Sequence, residues 1–209
     1  MKQTKYPLVF EDEKGKLYTK YKGEHRFWDA YHSKAAAALK KRIKNWVFKK
    51  DSKVLYLGAA EGTTISHLAD IIPNGVIIGV DISPEPFKKF LKLCEERENI
   101  IPVLSDANHP ENYKELMNSI GKVDVVYQDL AQKIQADILI KNAELFLKKN
   151  GYAVYMVKAL SIDVTEKPSK IFKQEEDKLI KAGFEIIEKK SLEPYQKGHA
   201  VIIAKYAKK

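Results

Sequence analysis

From Lys53 onward the chain alternates short apolar runs with amphipathic stretches, and this rhythm narrows the possible folds more than any other feature. The runs 53–58, 76–81, 101–104, 123–129 and 152–158 have the length and side-chain character of strands. Stretches 63–71, 84–97, 111–119, 133–148 and 168–182 carry apolar residues at helical spacing. Strands alternating with helices predict a parallel sheet covered on both faces, the doubly wound α/β class. The end breaks the rhythm. FEIIEKKSLEP and HAVIIAKYA follow one another with no helix between them, so the last strand is expected to run antiparallel.

The first fifty residues do not share this pattern. YPLVF, the turn EDEKG and KLYTKY suggest a β-hairpin over 5–22, and Ser33 is suited to cap a helix over KAAAALKKRIKNWVF. The expected organisation is therefore an appendage at 1–50 on a main domain at 51–209. The appendage holds 14 of the 37 basic residues but only 5 of the 28 acidic ones, so it carries the whole surplus of +9. A one-sided basic surface fits a polyanion such as a nucleic acid backbone as readily as it fits a solubilising face. Phe27, Trp28 and Tyr31 are expected to fix the appendage to the main domain, with stacking on a base as the alternative.

Composition excludes several classes. Hydrophobic residues make up 44% of the chain, which marks a globular protein, and no apolar run approaches the ~18 residues of a membrane span. The N-terminal MKQTKYPLVFEDEKGK lacks a signal-peptide core, and Cys94 has no partner, so an intracellular location is expected. Cys94 in FLKLCEERE reads as a packing residue. His67 is expected to pack within its helix, while His25, His32 and His109 fall in loop-like stretches. No pair has metal-ligand spacing, so no metal is expected.

The stretch LYLGAAEGTT (55–64) joins a strand to a helix through two glycines, a pattern that brings backbone close to a ligand. A P-loop would need four residues between the glycines and a following lysine; three are present, without the lysine. A dinucleotide fingerprint would need a glycine at Ala60. Further strand ends carry Asp81, suited to ribose hydroxyls, Asp106, suited to an exocyclic amine, and Asp129. Capping of the next helix is the plain alternative for Asp81 and Asp106. Together these features describe a nucleoside pocket without a pyrophosphate site, which fits S-adenosyl-L-methionine better than NAD.

Several segments carry a family resemblance: FWDAYHSKAAAAL (27–39), VLYLGAAEGTTISHLADI (54–71), VDISP (80–84), SDANHPENY (105–113), DVVYQDLAQ (124–132), YMVKA (155–159) and LEPYQKGHAVII (192–203). The sequence resembles the fibrillarins in their archaeal form. The resemblance implies a Rossmann-like methyltransferase with S-adenosyl-L-methionine as cofactor. It also implies methylation of ribose 2′-hydroxyls in rRNA and tRNA within a box C/D ribonucleoprotein. The implied partners are a guide RNA, a Nop-domain scaffold protein and a kink-turn-binding protein, with no membrane, in the cytoplasm of an archaeal-type cell.

By the same resemblance Gly58 and Gly62 shape the cofactor turn and Thr63 and Thr64 hold the methionine end. Asp81 and Ile82 take the ribose, and Asp106 and Ala107 the adenine. Asp129, Leu130, Ala131 and Gln132 line the sulfonium. The catalytic group of the family maps onto Lys34, Asp129, Lys158 and His199. Three positions depart from the family pattern: Glu61 for Ser, Asp81 for Glu, and Gly198 for the acidic residue that often precedes the histidine. Burial lowers a lysine pKa and a nearby aspartate raises it, so Lys158 reads equally as neutral base or charged clamp. Two other functions stay open: a methyltransferase acting on a small molecule or on protein glutamine, and a non-catalytic particle subunit. The chain holds no RNA-reading motif, so weak, salt-dependent binding of RNA is expected of it alone.

Overall fold

The computed structural model describes residues 1–207. Its first part holds β1 (Lys2–Gln3), β2 (Phe10–Glu11), β3 (Leu17–Tyr21), β4 (Glu24–Trp28) and α1 (Lys34–Lys40). The alternating part follows as β5 (Lys53–Leu57), α2 (Thr63–Ile71), β6 (Val76–Asp81), α3 (Pro84–Glu95) and β7 (Ile100–Leu104). A 3₁₀ turn at Pro110–Tyr113 leads into α4 (Lys114–Ile120), β8 (Val123–Gln128), α5 (Gln135–Phe146) and β9 (Leu147–Lys158). The last elements are α6 (Ala159–Ile162), α7 (Pro168–Lys181), β10 (Phe184–Ser191) and β11 (His199–Tyr206).

The main sheet has seven strands in the order β10-β11-β9-β8-β5-β6-β7. β5 pairs in parallel with both β6 and β8, so the chain winds outward in both directions from it. Only β11 opposes its neighbours, running antiparallel to β9 and β10. The expected doubly wound sheet and its reversed last strand are both present. Period-two alternation divides the core. Val54, Tyr56, Val125, Tyr127, Val154 and Met156 enter one cluster, while Leu55, Leu57, Val126, Tyr155 and Val157 enter the other. Helices α2 and α3 cover the first face together with the N-terminal segment; α4, α5 and α7 cover the second.

The N-terminal part departs from expectation. It is a four-stranded antiparallel sheet, not a single hairpin, and its longest pairing joins β3 to β4 across Lys22–Gly23. YPLVF contributes only Phe10 to a strand, whereas EHRFW, hidden by its charges, forms β4 and carries His25. The helix after Ser33 ends at Lys40 because Arg42 turns left-handed at φ 55°. Its alanines, Ala35 to Ala38, are all buried and let the backbone lie close to the sheet. Among the three aromatics, only Trp28 is buried, stacked on His67 at 5.1 Å; Phe27 and Tyr31 are exposed.

Polar contacts tie this sheet to α2. The Thr19 hydroxyl donates to Asp70 (2.7 Å) and Arg26 donates to the same oxygen (2.6 Å). With its proton thus used, Thr19 Oγ1 accepts from His67 Nδ1 at 2.7 Å. Burial, with Arg26 and Arg97 nearby, lowers the His67 pKa to about 3.

Candidate active site

The carboxyl ends of β5, β6, β8 and β9 meet where the winding reverses, the place at which open α/β sheets form ligand clefts. The glycine turn lies there, with Gly58 and Gly62 both at φ 91°. A Cβ on Gly58 would stand 2.4 Å from the Asp129 carbonyl, and one on Gly62 would stand 2.5 Å from Leu93. These glycines therefore make room for the protein's own elements: Gly58 for the end of β8, Gly62 for α3. What the turn offers a ligand is the first-turn N–H groups of α2, which have no partner within the helix.

The Thr64 hydroxyl donates to Ser33 Oγ (3.0 Å), so Thr64 faces the N-terminal segment, while Thr63 is exposed. Asp81 spans the turn: Oδ2 accepts from Ala60 N–H (2.7 Å) and Oδ1 from Ser83 N–H (2.8 Å). Each oxygen keeps a lone pair for a hydroxyl. Ile82, 53% exposed, presents an apolar surface beside it. Asp106 accepts from Asn108 N–H through Oδ1 (2.8 Å), leaving Oδ2 for an amine, and Ala107 is buried next to it. Leu130 is half-buried, and Ala131 and Gln132 are exposed on the segment after β8. Glu61 points outward to Lys89 at 2.7 Å. A nucleoside linked to an amino acid fits this set, because amides and carboxylates face the cleft without a pyrophosphate cradle.

The four implied catalytic residues come from four separate parts of the chain and converge. Lys34, the first residue of α1, sets its Nζ 2.9 and 3.0 Å from the two oxygens of Asp129. Lys158 ends β9 and stands opposite His199, the first residue of β11. Burial lowers the Lys158 pKa, Lys34 lowers it further, and Asp129 opposes them. Among the described residues, the Lys158 ammonium has no ion-pair or hydrogen-bond partner.

His199 is held in one tautomer. Its Nδ1 lies 2.7 Å from the Lys197 carbonyl, which can only accept, so Nδ1 carries the proton. Nε2 is then a bare acceptor, and it is buried without a partner. Burial lowers the His199 pKa, and Lys34 and Lys158 add to this against the Lys197 bond and Asp129. Gly198, at φ 68°, makes the turn that starts β11; its carbonyl accepts from Ala159 N–H (3.1 Å).

Two residues make supporting long-range contacts that the sequence does not announce. Gln135, fully buried, donates to the Lys158 carbonyl and accepts from the Lys158 N–H, both at 3.1 Å. Ser33 joins three elements, accepting from Trp28 Nε1 (2.9 Å), Thr64 (3.0 Å) and Ala36 N–H (3.4 Å). Its cap role was visible in the sequence, but these long-range contacts had no local signal. Among the described residues no cluster of acidic, His and Cys side chains could hold a metal.

Comparison with known proteins gives concordant matches. The fibrillarin family model matches residues 8–208. The fibrillarin-like rRNA/tRNA 2′-O-methyltransferase of Methanocaldococcus jannaschii is 48% identical over 180 residues, covering 86% of this chain and 77% of that protein. A fibrillarin solved in complex with Nop5p superposes with a TM-score of 0.86 at 43% identity, covering 94% of this chain and 96% of that one. Aeropyrum pernix fibrillarin, solved with natively bound S-adenosyl-L-methionine, gives a TM-score of 0.83 at 41% identity, covering 94% and 92%.

Proposed function

The chain belongs to the fibrillarin family, and from that premise we propose that it is the catalytic subunit of a guide-directed box C/D ribonucleoprotein acting on rRNA and tRNA. It is an S-adenosyl-L-methionine-dependent 2′-O-methyltransferase. A Nop-domain scaffold protein places it in the particle, supported by the Nop5p complex of its relative. A kink-turn-binding protein and the guide RNA complete the assembly and choose the target. The observation that carries the catalytic reading is the convergence of Lys34, Asp129, Lys158 and His199 beside the cleft.

When bound, the cofactor supplies a methyl group already activated on a sulfonium, so the residues of this chain must handle the hydroxyl. The α2 amides and Asp81 and Asp106 would hold the cofactor, with Ile82 and Ala107 against its nucleoside. A nucleotide inside an RNA strand has one ribose hydroxyl, the 2′-OH. That hydroxyl is the ribose donor we assign to the partnerless Nε2 of His199, which is buried in the free chain and which the substrate must uncover. The methyl carbon would bond to the 2′-oxygen as its bond to sulfur breaks, leaving a neutral thioether. The proton passes to His199, a demand even a weak base meets because the attacking oxygen turns strongly acidic. Lys158, still charged, donates to the oxygen lone pair that does not attack and so fixes the aim of the other at the methyl group. Lys34 neutralises Asp129, and Gln135 fixes the backbone from which Lys158 projects. Orientation supplies the remainder.

The test is methylation of a guide-matched RNA by the chain alone and by the chain with both proteins and the guide. Site-specific methylation is expected only from the full set. Efficient, specific methylation by the chain alone would refute the guide-directed reading.

A further inference from the structure

Glu175 is 1% exposed, a setting that a carboxylate occupies only with its oxygens engaged. It lies on α7 and reaches two other elements. Its Oε2 accepts from the Ala136 N–H (3.0 Å) and from the Tyr155 hydroxyl (2.5 Å), while Oε1 meets Lys178 Nζ at 2.8 Å. Lys178, partly exposed, also stands 3.6 Å from Asp137 and balances the charge from the outer side. Burial and the Glu175 charge hold the Tyr155 pKa well above its ordinary value, so the phenol keeps the proton it donates.

Both inner bonds lead to Lys158. Helix α5 has no side-chain cap of its own, and Ala136 sits in its first turn, where N–H groups lack helical acceptors. Glu175 supplies the acceptor from another helix. Ala136 follows Gln135, which holds both polar groups of the Lys158 backbone. Tyr155 lies three residues before Lys158 on β9. The contacts close a loop: Lys158 to Gln135, Ala136 to Glu175, Glu175 to Tyr155, and along β9 back to Lys158. One buried oxygen thus ties the helix start that carries the clamp to the strand that carries the lysine. We propose that Glu175 is a positioning residue for methyl transfer, setting where Lys158 stands by locking the start of α5 to β9. This role rests on the catalytic reading above. Glu175 acts through Gln135 and Tyr155, away from the reacting atoms.

The test is single-turnover methyl transfer in the assembled particle. Glu175→Leu removes both acceptors, and the rate is expected to fall roughly tenfold to hundredfold with the cofactor dissociation constant unchanged. Glu175→Gln keeps a carbonyl for Ala136 and Tyr155 without the charge. It should recover most of the rate and leave the alkaline limb of the pH profile in place. Combined with Gln135→Leu, Glu175→Leu should cost almost nothing beyond the larger single loss, because both open the same loop. Tyr155→Phe opens it with little change of volume and should also cost almost nothing further in Gln135→Leu. Should Glu175→Leu not fold, Glu175→Gln and Tyr155→Phe carry the test. Losses that multiply in the double variants, or a Glu175→Gln rate as low as that of Gln135→Leu, would overturn the proposal. Lys158→Ala separates the two readings. Transfer at the native rate in that variant would overturn the catalytic reading; slow transfer in it, with multiplying losses elsewhere, would overturn the role of Glu175 alone.

Discussion

Lys34 Nζ bridges the two carboxylate oxygens of Asp129 at 2.9 and 3.0 Å, joining the first helix to the end of a central strand across 95 positions. Side-chain exposures of 15% and 13% make this a largely dry pair. Removing one partner would strand a buried charge. Lys34→Ala is expected to lower stability by about 3 kcal/mol in denaturant unfolding. Asp129, released, would act fully on Lys158 and His199, and the loss of Lys34 would raise both pKa values. Both limbs of the pH–rate profile should therefore move to higher pH; unmoved limbs would show that the pair does not govern the site.

The unperturbed profile itself separates the two roles. His199 must be neutral to accept a proton, and its pKa is lowered from 6.5, so activity should fall only below that value. Lys158 must be charged, and its pKa is lowered from 10.5, so activity should fall again before that pH is reached. A bell is expected in single-turnover methyl transfer. A rate that climbs through the whole alkaline range would make Lys158 the base. His199→Ala should remove the acid limb.

Gln135 grips both polar groups of the Lys158 backbone, and Gln128 donates to the Gln135 carbonyl at 2.7 Å behind it. Gln135→Leu keeps the volume but frees Lys158 N–H and C=O. Methyl transfer is expected to drop roughly tenfold to hundredfold, as for a small misplacement of a reacting group. Calorimetry should find the cofactor affinity unchanged, and Gln135→Glu, which keeps an acceptor, should recover part of the rate. Parallel loss of cofactor binding would make Gln135 a general structural residue.

His67 makes a stability prediction. Its pKa is about 3 in the fold against 6.5 ordinarily, so between these values the unfolded chain binds a proton that the folded chain refuses. Stability contributed by the neutral ring is complete above pH 6.5 and is lost as pH falls toward about 3, at roughly 1.4 kcal/mol per pH unit. His67→Gln should unfold with a shallower pH dependence across pH 6 to 4. Equal slopes in the two proteins would place the proton elsewhere.

The main sheet was legible because its strands, such as VVYQ and VIIGV, are apolar on both faces and bounded by turns. The appendage was not. β4 is EHRFW, mostly exposed and rich in charge, and the contacts that hold it and β3, through Arg26 and Thr19 to Asp70, reach more than 40 positions along the chain. The helix from Lys34 ends at Lys40, before a left-handed turn at Arg42 that no glycine or proline announces. At the site, Asp81 and Asp106 stood out as carboxylates at strand ends, but nothing in spacing links Lys34 to Asp129. That pair entered only through the family resemblance. Gln135 looked like an ordinary polar residue at a helix start, since its partner lies 23 positions on.

Every role assigned above depends on this chain moving a methyl group to a ribose 2′-hydroxyl. The most direct measurement compares two guide-matched substrate RNAs in the reconstituted particle with S-adenosyl-L-methionine carrying a labelled methyl. One is native; the other has a single 2′-deoxynucleotide at the guided position. Label is expected in the native strand at that nucleotide, resistant to alkaline cleavage there, and none in the deoxy strand. Equal labelling of both strands, or label found only in protein, would contradict it.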